Sequence, residues 1–192
     1  TLHDALPIYM KHIDKSRLTP MMRQYFEIKE NYMDYILFYR LGDFYEMFFD
    51  DAVRASRELE ITLTARNCGL AEKAPLCGVP YHAVDGYIKK LVEKGIKIAI
   101  CEQMEDPALA KGLVKREVVR IITPGTVTDP EMLDEGSFNY VAALYSGDLG
   151  FAVAYCDITT GLFKTTELAS LDKVGDELLK IEPSELDRKS VV

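Results

Sequence analysis

The sequence has few of the features that mark membrane, metal-binding or nucleotide-binding proteins. No apolar run approaches the roughly 20 residues that a membrane-spanning helix needs. The four cysteines are Cys68, Cys77, Cys101 and Cys156. They lie far apart without C-x-x-C spacing, which is typical of reduced thiols in a cytoplasmic chain. Together with His82 they match no common zinc module. The phosphate-binding motif G-x-x-x-x-G-K-[ST] is missing as well. We therefore expect no membrane segment, no metal and no P-loop within these residues.

The net charge of −8 is distributed unevenly along the 192 residues. Residues 16–124 carry 16 basic and 16 acidic side chains, whereas residues 125–192 carry 5 basic and 13 acidic ones. Non-specific affinity for nucleic acid comes from neutralising many phosphates, so neither segment is a general DNA-binding surface. A neutral module still suits the reading of a local distortion, if other parts of a larger protein supply most of the phosphate contacts.

The residues up to about position 124 predict a compact α/β module. Thr19 is a suitable cap for a helix that starts at Pro20, and Gly95 is a suitable stop for a later helix. We predict helices over 20–31, 45–59 (with Asp43 as its cap) and 83–94, strands over 35–40, 61–64, 96–104 and 117–123, and a loop over 67–80.

The acidic remainder predicts a second, smaller module. Residues 125–137 are expected to form a linker. Three strands with short turns follow, over 139–145, 150–157 and 161–166, and then an amphipathic helix over about 171–181.

The segment from Phe38 to Phe49 is unusually aromatic and places Phe44 and Glu46 on either side of a single residue. We predict that Phe44 lies at a strand-to-helix junction, where an aromatic ring can point outward. An aromatic beside a carboxylate at such a point can wedge between bases of bent DNA and offer one polar contact. The alternatives are a core aromatic for Phe44 and, for Glu46, a first-turn residue that complements a helix dipole.

The same segment resembles the mismatch-recognition signature of the MutS family of DNA mismatch-repair proteins, and further motifs match in order and spacing. The match runs from about Leu18 to about Leu186 and rests on 18–25 (LTPMMRQY), 78–83 (GVPYHA), 99–104 (AICEQM), 119–126 (VRIITPGT) and 156–161 (CDITTG). The opening residues TLHDALPI and the closing DRKSVV fall outside this pattern and resemble translated adapter sequence, so we expect a fragment of a longer reading frame.

The resemblance implies an α+β fold: a small mixed-sheet mismatch-recognition domain over 16–124, followed by a truncated ribonuclease-H-like connector domain over 138–186. Residues 1–15 are then a disordered non-family flank, 125–137 a linker and 187–192 a foreign flank. The sheet of the connector domain is expected to be incomplete.

The resemblance also implies a function. Such a chain would bind double-stranded DNA with a mismatch or small insertion loop, in the bacterial cytoplasm at the nucleoid. It would not itself be an enzyme, since the family's DNA-dependent ATPase, with its ATP and Mg, lies toward the C-terminus. The full-length family forms homodimers and engages downstream repair proteins through the connector domain.

Phe44 and Glu46 are the main predicted DNA contacts, and Arg66, Tyr81, His82 and Arg120 are secondary candidates. Lys111, Lys115 and Arg116, which lie in or beside predicted loops like Arg66 and Arg120, are further candidates for phosphate contact. Three alternatives stay open: a MutS paralogue that acts on other DNA structures, a Mg-dependent enzyme that uses Asp43, Glu46 and Asp50, and a domain that binds only protein. Asp50 and Asp51 are otherwise expected to be solvated.

Overall fold

A computed structural model describes residues 13–129, 132–133 and 137–190 of the chain. The chain divides into two units at the boundary between Ile122 and Thr123. Each unit combines helices with a mixed sheet, so the predicted α/β fold class is confirmed. The predicted N-terminal flank falls mostly on residues 1–12, outside the described residues. Ile13 packs against the core and Lys15 pairs with Glu30, so the end of that flank belongs to the folded unit.

The first unit is a six-stranded sheet with helices packed against it. Its elements in chain order are α1 (Pro20–Lys29), β1 (Tyr35–Leu41), β2 (Phe44–Phe48), α2 (Phe49–Leu59), β3 (Thr64–Arg66), β4 (Ala74–Pro80), α3 (Val84–Glu93), β5 (Lys97–Gln103) and β6 (Arg116–Ile122). The strand order is β3-β4-β2-β1-β5-β6. Only the β1–β5 pair is parallel among the strand pairs of this described sheet, as the crossover through α2 and α3 requires.

The start of α1 follows the sequence prediction. The Thr19 hydroxyl accepts a hydrogen bond from the backbone N–H of Met22, and Pro20 occupies the first helical turn. Tyr25 then packs edge-on against the rings of Tyr39 and Phe48 of the sheet, and Phe26 packs against Tyr25. This aromatic cluster fixes α1 against one face of the sheet.

The helices α2 and α3 contact the sheet through β1, β2, β4 and β5. Ile36 and Phe38 alternate along β1 with the residues that face α1, so their side chains point to the opposite face of the sheet. Both are fully buried there. The Cys77 thiol of β4 lies 3.4 Å from the Ala52 carbonyl oxygen of α2, which places α2 on that opposite face. The sheet therefore has helices on both faces and is buried between them.

The helix predicted over 45–59 is wrong in its first four residues. The chain turns at Gly42, where φ is +57°, and returns as strand β2, which pairs with β1 and β4. The helix begins only at Phe49, so Asp43 is a turn residue and not its cap. Pairing on both sides of β2 satisfies its backbone groups, and this tertiary effect outweighs the local helix signal.

The predicted loop over 67–80 is also wrong for its second half, because Ala74–Pro80 forms β4 between β2 and β3. Its prolines and glycine suggested a loop, yet Pro80 lies at the strand end and Gly78 faces β2 closely. The neighbouring strand is Thr64–Arg66, a shift from the predicted 61–64. The predictions of α3, the Gly95 stop (φ +76°), β5 and β6 are confirmed within one or two residues.

The second unit is a four-stranded sheet with one helix. Its elements are β7 (Tyr140–Gly147), β8 (Gly150–Asp157), β9 (Leu162–Leu168), α4 (Leu171–Ile181) and β10 (Glu185–Ser190), in the strand order β10-β7-β8-β9. The predicted meander and helix are confirmed. Val174 and Ile181 of α4 pack on Ala142, Val153 and Tyr155. The segment 187–192 was set apart from the family pattern, yet its backbone continues β10 to Ser190 in parallel pairing with β7.

Candidate nucleic-acid interface

Phe44 is the first residue of β2 and lies beside the tight turn between β1 and β2. It pairs with Leu41 across the hairpin and with Pro80 of β4, and its side chain is 47% exposed. The predicted junction is therefore a hairpin end, but the outward ring is confirmed. The next residue, Tyr45, is only 5% exposed, whereas the Phe44 ring is accessible to a binding partner.

Glu46 is on the same face of β2 as Phe44, because side chains two residues apart in a strand point the same way. It lies mid-strand, so the helix-dipole alternative is wrong. Its Oε2 is 2.6 Å from Nη1 of Arg66, and the carboxyl is partly buried. Burial raises the pKa of Glu46, while the charge of Arg66 lowers it. The hairpin thus presents an aromatic ring and a carboxyl group side by side.

The opposite side of the hairpin holds a cluster that fixes its shape. The guanidinium carbon of Arg40 lies 3.8 Å from the ring centre of Tyr81 and 5.5 Å from that of Tyr45. The Tyr45 hydroxyl donates to Glu102, and burial together with this bond raises the pKa of Tyr45 to about 12. The sequence analysis did not identify Arg40 or Glu102 as part of the site, since only the fold brings these residues together.

Tyr81 and His82, two of the secondary candidates, directly follow β4 next to the hairpin end. The backbone N–H of Tyr81 donates to the Asp43 carbonyl oxygen at 2.9 Å, which ties this segment to the turn before Phe44. The Tyr81 ring is 43% exposed and meets the His82 ring edge-on at 5.8 Å. Their contact with DNA stays a prediction.

Arg120 is not brought to this site. It lies on strand β6, as predicted, and β1 and β5 separate β6 from β2, a distance of roughly 14 Å at ordinary strand spacing. Arg120 pairs with Ile100, which pairs with Phe38, so it shares the face opposite Glu46. A DNA contact by Arg120 stays a prediction, and it requires a second point of contact.

Arg116 is a structural residue and not a candidate for phosphate contact. It is 7% exposed, and its guanidinium donates to the Arg40 carbonyl at 2.9 Å and to Gln24 Oε1 at 3.1 Å. It also lies over the ring of Tyr39. Lys115 is exposed and pairs with Glu117, and Lys111 is exposed.

The acidic residues around the hairpin have separate surroundings. Asp43 is exposed in the turn, Glu46 pairs with Arg66, and Asp50 lies in the first turn of α2. Asp51 is not solvated as expected: it is 8% exposed and accepts hydrogen bonds from Lys29 and the Leu37 backbone N–H, both at 2.9 Å. Within the described residues, no group of three or more histidine, cysteine or acidic side chains is placed to hold a metal ion.

All four cysteines are free thiols, and three of them are buried. Burial raises the pKa of Cys77 and that of Cys101 to about 12, which keeps both thiols protonated and unreactive. No helix in the described part of the chain combines the length and apolar character that crossing a membrane requires.

Comparison with known proteins places these features in a family. The family model of MutS domain I matches residues 19–131, and that of MutS domain II matches residues 139–186. The chain belongs to the MutS family. The hairpin with Phe44 and Glu46 lies in the domain I match, and strands β7, β8 and β9 with α4 lie in the domain II match.

Individual MutS relatives are similar across most of the chain. The DNA mismatch repair protein MutS of Acetivibrio thermocellus is 61% identical over 172 residues, which are 88% of this chain and 20% of that protein. The MutS of Alkaliphilus oremlandii is 60% identical over 173 residues, with the same coverage. That of Lachnoclostridium phytofermentans is 58% identical over 89% of this chain and 18% of its own length. The chain therefore spans about a fifth of the length of the curated relatives it matches.

Proposed function

We propose that this chain is the part of a MutS protein that reads mispaired DNA, with Phe44 as a wedge inserted at the mispair of a kinked duplex. The observation that carries the proposal is the half-exposed Phe44 ring at the end of a hairpin whose strand β2 is paired on both sides, with Glu46 on the same face of the strand. The family membership supports this assignment.

A wedge of this kind selects by deformability. Unstacking a base step costs a few kcal/mol, and a mispaired step is already weakly stacked and easily kinked. The cost is therefore lower at a mismatch or small insertion loop than at a matched pair. The packed cluster under β1 and β2 supports this role, because a rigid base is needed to drive a side chain between stacked bases.

Glu46 contributes a polar contact to a base edge. A carboxylate repels phosphate, so it is useful only if it faces a base. Burial raises the pKa of Glu46 in the free chain, and burial against DNA charge favours the protonated form further. A protonated Glu46 donates a hydrogen bond to a ring nitrogen of the displaced base.

The rest of the activity belongs to parts of the protein outside these residues. We propose that the full-length protein is a homodimer whose ATPase, with ATP and Mg, converts mismatch binding into a signal at the bacterial nucleoid. The second unit then contributes to contacts with downstream repair proteins. No catalytic role is assigned to the present residues.

The test compares binding to a G·T heteroduplex with binding to the matched duplex. We expect a preference for the heteroduplex that collapses with Phe44→Ala and survives Phe163→Ala, which removes another exposed phenylalanine ring (66% exposed) from the second unit. Fluorescence anisotropy at low ionic strength is suitable for the 192-residue chain. A complete MutS protein that carries residues 16–124 of this chain supplies the missing phosphate contacts. A preference that survives Phe44→Ala would show that Phe44 is a packing residue.

A further inference from the structure

The ion pair between Glu46 and Arg66 joins two strands that are not neighbours. Glu46 is on β2, Arg66 is on the edge strand β3, and β4 lies between them. Nevertheless, Oε2 of Glu46 and Nη1 of Arg66 are 2.6 Å apart, and the two side chains are 20% and 42% exposed. The arginine side chain must therefore reach across β4 on the face that carries Phe44.

Gly78 provides the room for this crossing. It is the β4 residue paired with Glu46, and a Cβ built on it would lie 3.5 Å from Cγ of Glu46 and 3.3 Å from the Tyr45 carbonyl oxygen. A larger side chain here would stand over the carboxyl group, between Glu46 and Arg66. The glycine thus leaves the Glu46 carboxyl open on the side toward β3.

The groups that surround the Glu46 carboxyl come from each neighbouring strand. β1 places Tyr39 opposite Glu46, with its hydroxyl turned to Gln24 at 2.6 Å, and β4 places the uncharged Gly78 there. β3 supplies the charge of Arg66. Burial alone favours a neutral carboxyl, and the guanidinium opposes it. The state of Glu46 is therefore set by the balance between these two effects.

We propose that Arg66 is a positioning residue for mismatch discrimination, which holds Glu46 ionised and away from solvent in the free protein and releases it when a mispair is bound. This inference rests on the proposed function. At a mispair the carboxyl takes up a proton from the solvent and turns to the base, while the freed guanidinium pairs with a backbone phosphate. On a matched duplex Glu46 has no base to face, and the ion pair stays closed.

The first experiment measures the pKa of the Glu46 carboxyl in the 192-residue chain by carbon-detected NMR titration. We expect the pKa to rise in Arg66→Gln and to return toward the original value in Arg66→Lys, which restores the charge. Arg57→Gln is the matched control, because it breaks an exposed arginine–glutamate pair with Glu58 on α2, away from the hairpin. An unchanged Glu46 pKa in Arg66→Gln would overturn the proposal.

The second experiment follows the ratio of heteroduplex to matched affinity as the pH is raised from mildly acidic to mildly basic. A protonated contact weakens as the pH rises through the Glu46 pKa, so the ratio falls. In Arg66→Gln the raised pKa of Glu46 should move this fall to higher pH. The loss of one positive charge weakens binding to both duplexes alike, so it cancels in the ratio. In a Glu46→Gln background, Arg66→Gln should leave the pH profile unchanged.

The outcomes separate this inference from the function on which it rests. A raised Glu46 pKa with no movement of the pH profile overturns the role of Arg66 in discrimination but leaves mismatch reading intact. An absent heteroduplex preference in every variant, including the original chain, overturns the proposed function and removes the role of Arg66 with it. Circular dichroism confirms that each variant is folded, as expected for an exposed edge-strand position.

Discussion

At the scale of single residues, Lys29 and Asp51 form a buried ion pair, with side chains that are 2% and 10% exposed. The Lys29 side chain also donates to the Tyr32 carbonyl at 3.2 Å, where α1 ends. The Asp51 carboxylate accepts from the Leu37 backbone N–H and, at 3.3 Å, from the Tyr25 hydroxyl. This network links α1 and α2 to β1, the first strand of the hairpin.

Replacement of Lys29 by methionine should therefore destabilise the first unit strongly. Removal of one partner of a buried ion pair typically costs about 3–5 kcal/mol, because the other charge is left without compensation. Urea unfolding followed by circular dichroism measures the loss. Lys15→Met is the control, since the exposed Lys15–Glu30 pair should contribute no more than about 1 kcal/mol. A loss below about 1 kcal/mol for Lys29→Met would contradict the importance of this network.

At the scale of elements, the short turn Pro124–Thr126 opens the second unit and packs on its sheet. Thr123 and Thr126 form a reciprocal capping arrangement, and the Glu185 carboxylate of β10 accepts from the Thr123 hydroxyl and the Gly125 N–H. A Cβ at Gly125 would lie 2.5 Å from Cγ2 of Val141 and 2.9 Å from Cβ of Glu185. The glycine is required by packing, not by its backbone angles.

We expect Gly125→Ala to destabilise the second unit by about 1–3 kcal/mol, as overpacking of a tight contact does. Gly175→Ala is the control, because its expected effect on stability has the opposite sign. Gly175 lies within α4 with open space around its Cα, so alanine should stabilise the helix by roughly 0.5–1 kcal/mol. Amide hydrogen exchange of β7 and β8 reports both changes. An unchanged exchange rate in Gly125→Ala would show that the turn is free to move off the sheet.

Among the elements, β2 and β4 show where local patterns are insufficient. Asp43, as a possible cap after the turn signal at Gly42, predicted that the helix starts near residue 45, and Gly69, Pro75 and Gly78 predicted a loop. Both segments became strands because each supplies the other with backbone partners across the sheet. Such long-range pairing leaves little trace in the sequence of either strand alone.

At the scale of the whole molecule, charge limits what the chain does alone. The first unit has balanced charge in the sequence, and the second is acidic. Few phosphates are neutralised by such surfaces, so affinity for ordinary DNA should be low and only weakly dependent on salt. The mismatch preference that we propose would then come from the hairpin and not from general attraction to DNA.

We therefore expect the 192-residue chain to bind matched duplex with a dissociation constant above about 1 μM at physiological salt, in the range of non-specific binding. Anisotropy titrations at several salt concentrations measure both the affinity and its salt dependence. A submicromolar affinity for matched duplex would contradict the view that most phosphate contacts come from elsewhere in the protein.

The sequence by itself determined the mixed α/β class, most element positions, the MutS resemblance and the prominence of Phe44 and Glu46. These depend on local signals: caps, periodicity, turn residues and ordered motifs. Only the tertiary structure decided that Phe44 lies at a hairpin end and that Asp51 and Arg116 are buried. It also decided that Glu46 meets Arg66 across β4, while Arg120 lies on the other face. The reason is physical: these relationships are set by strand order and register, which arise from contacts between residues distant in the chain.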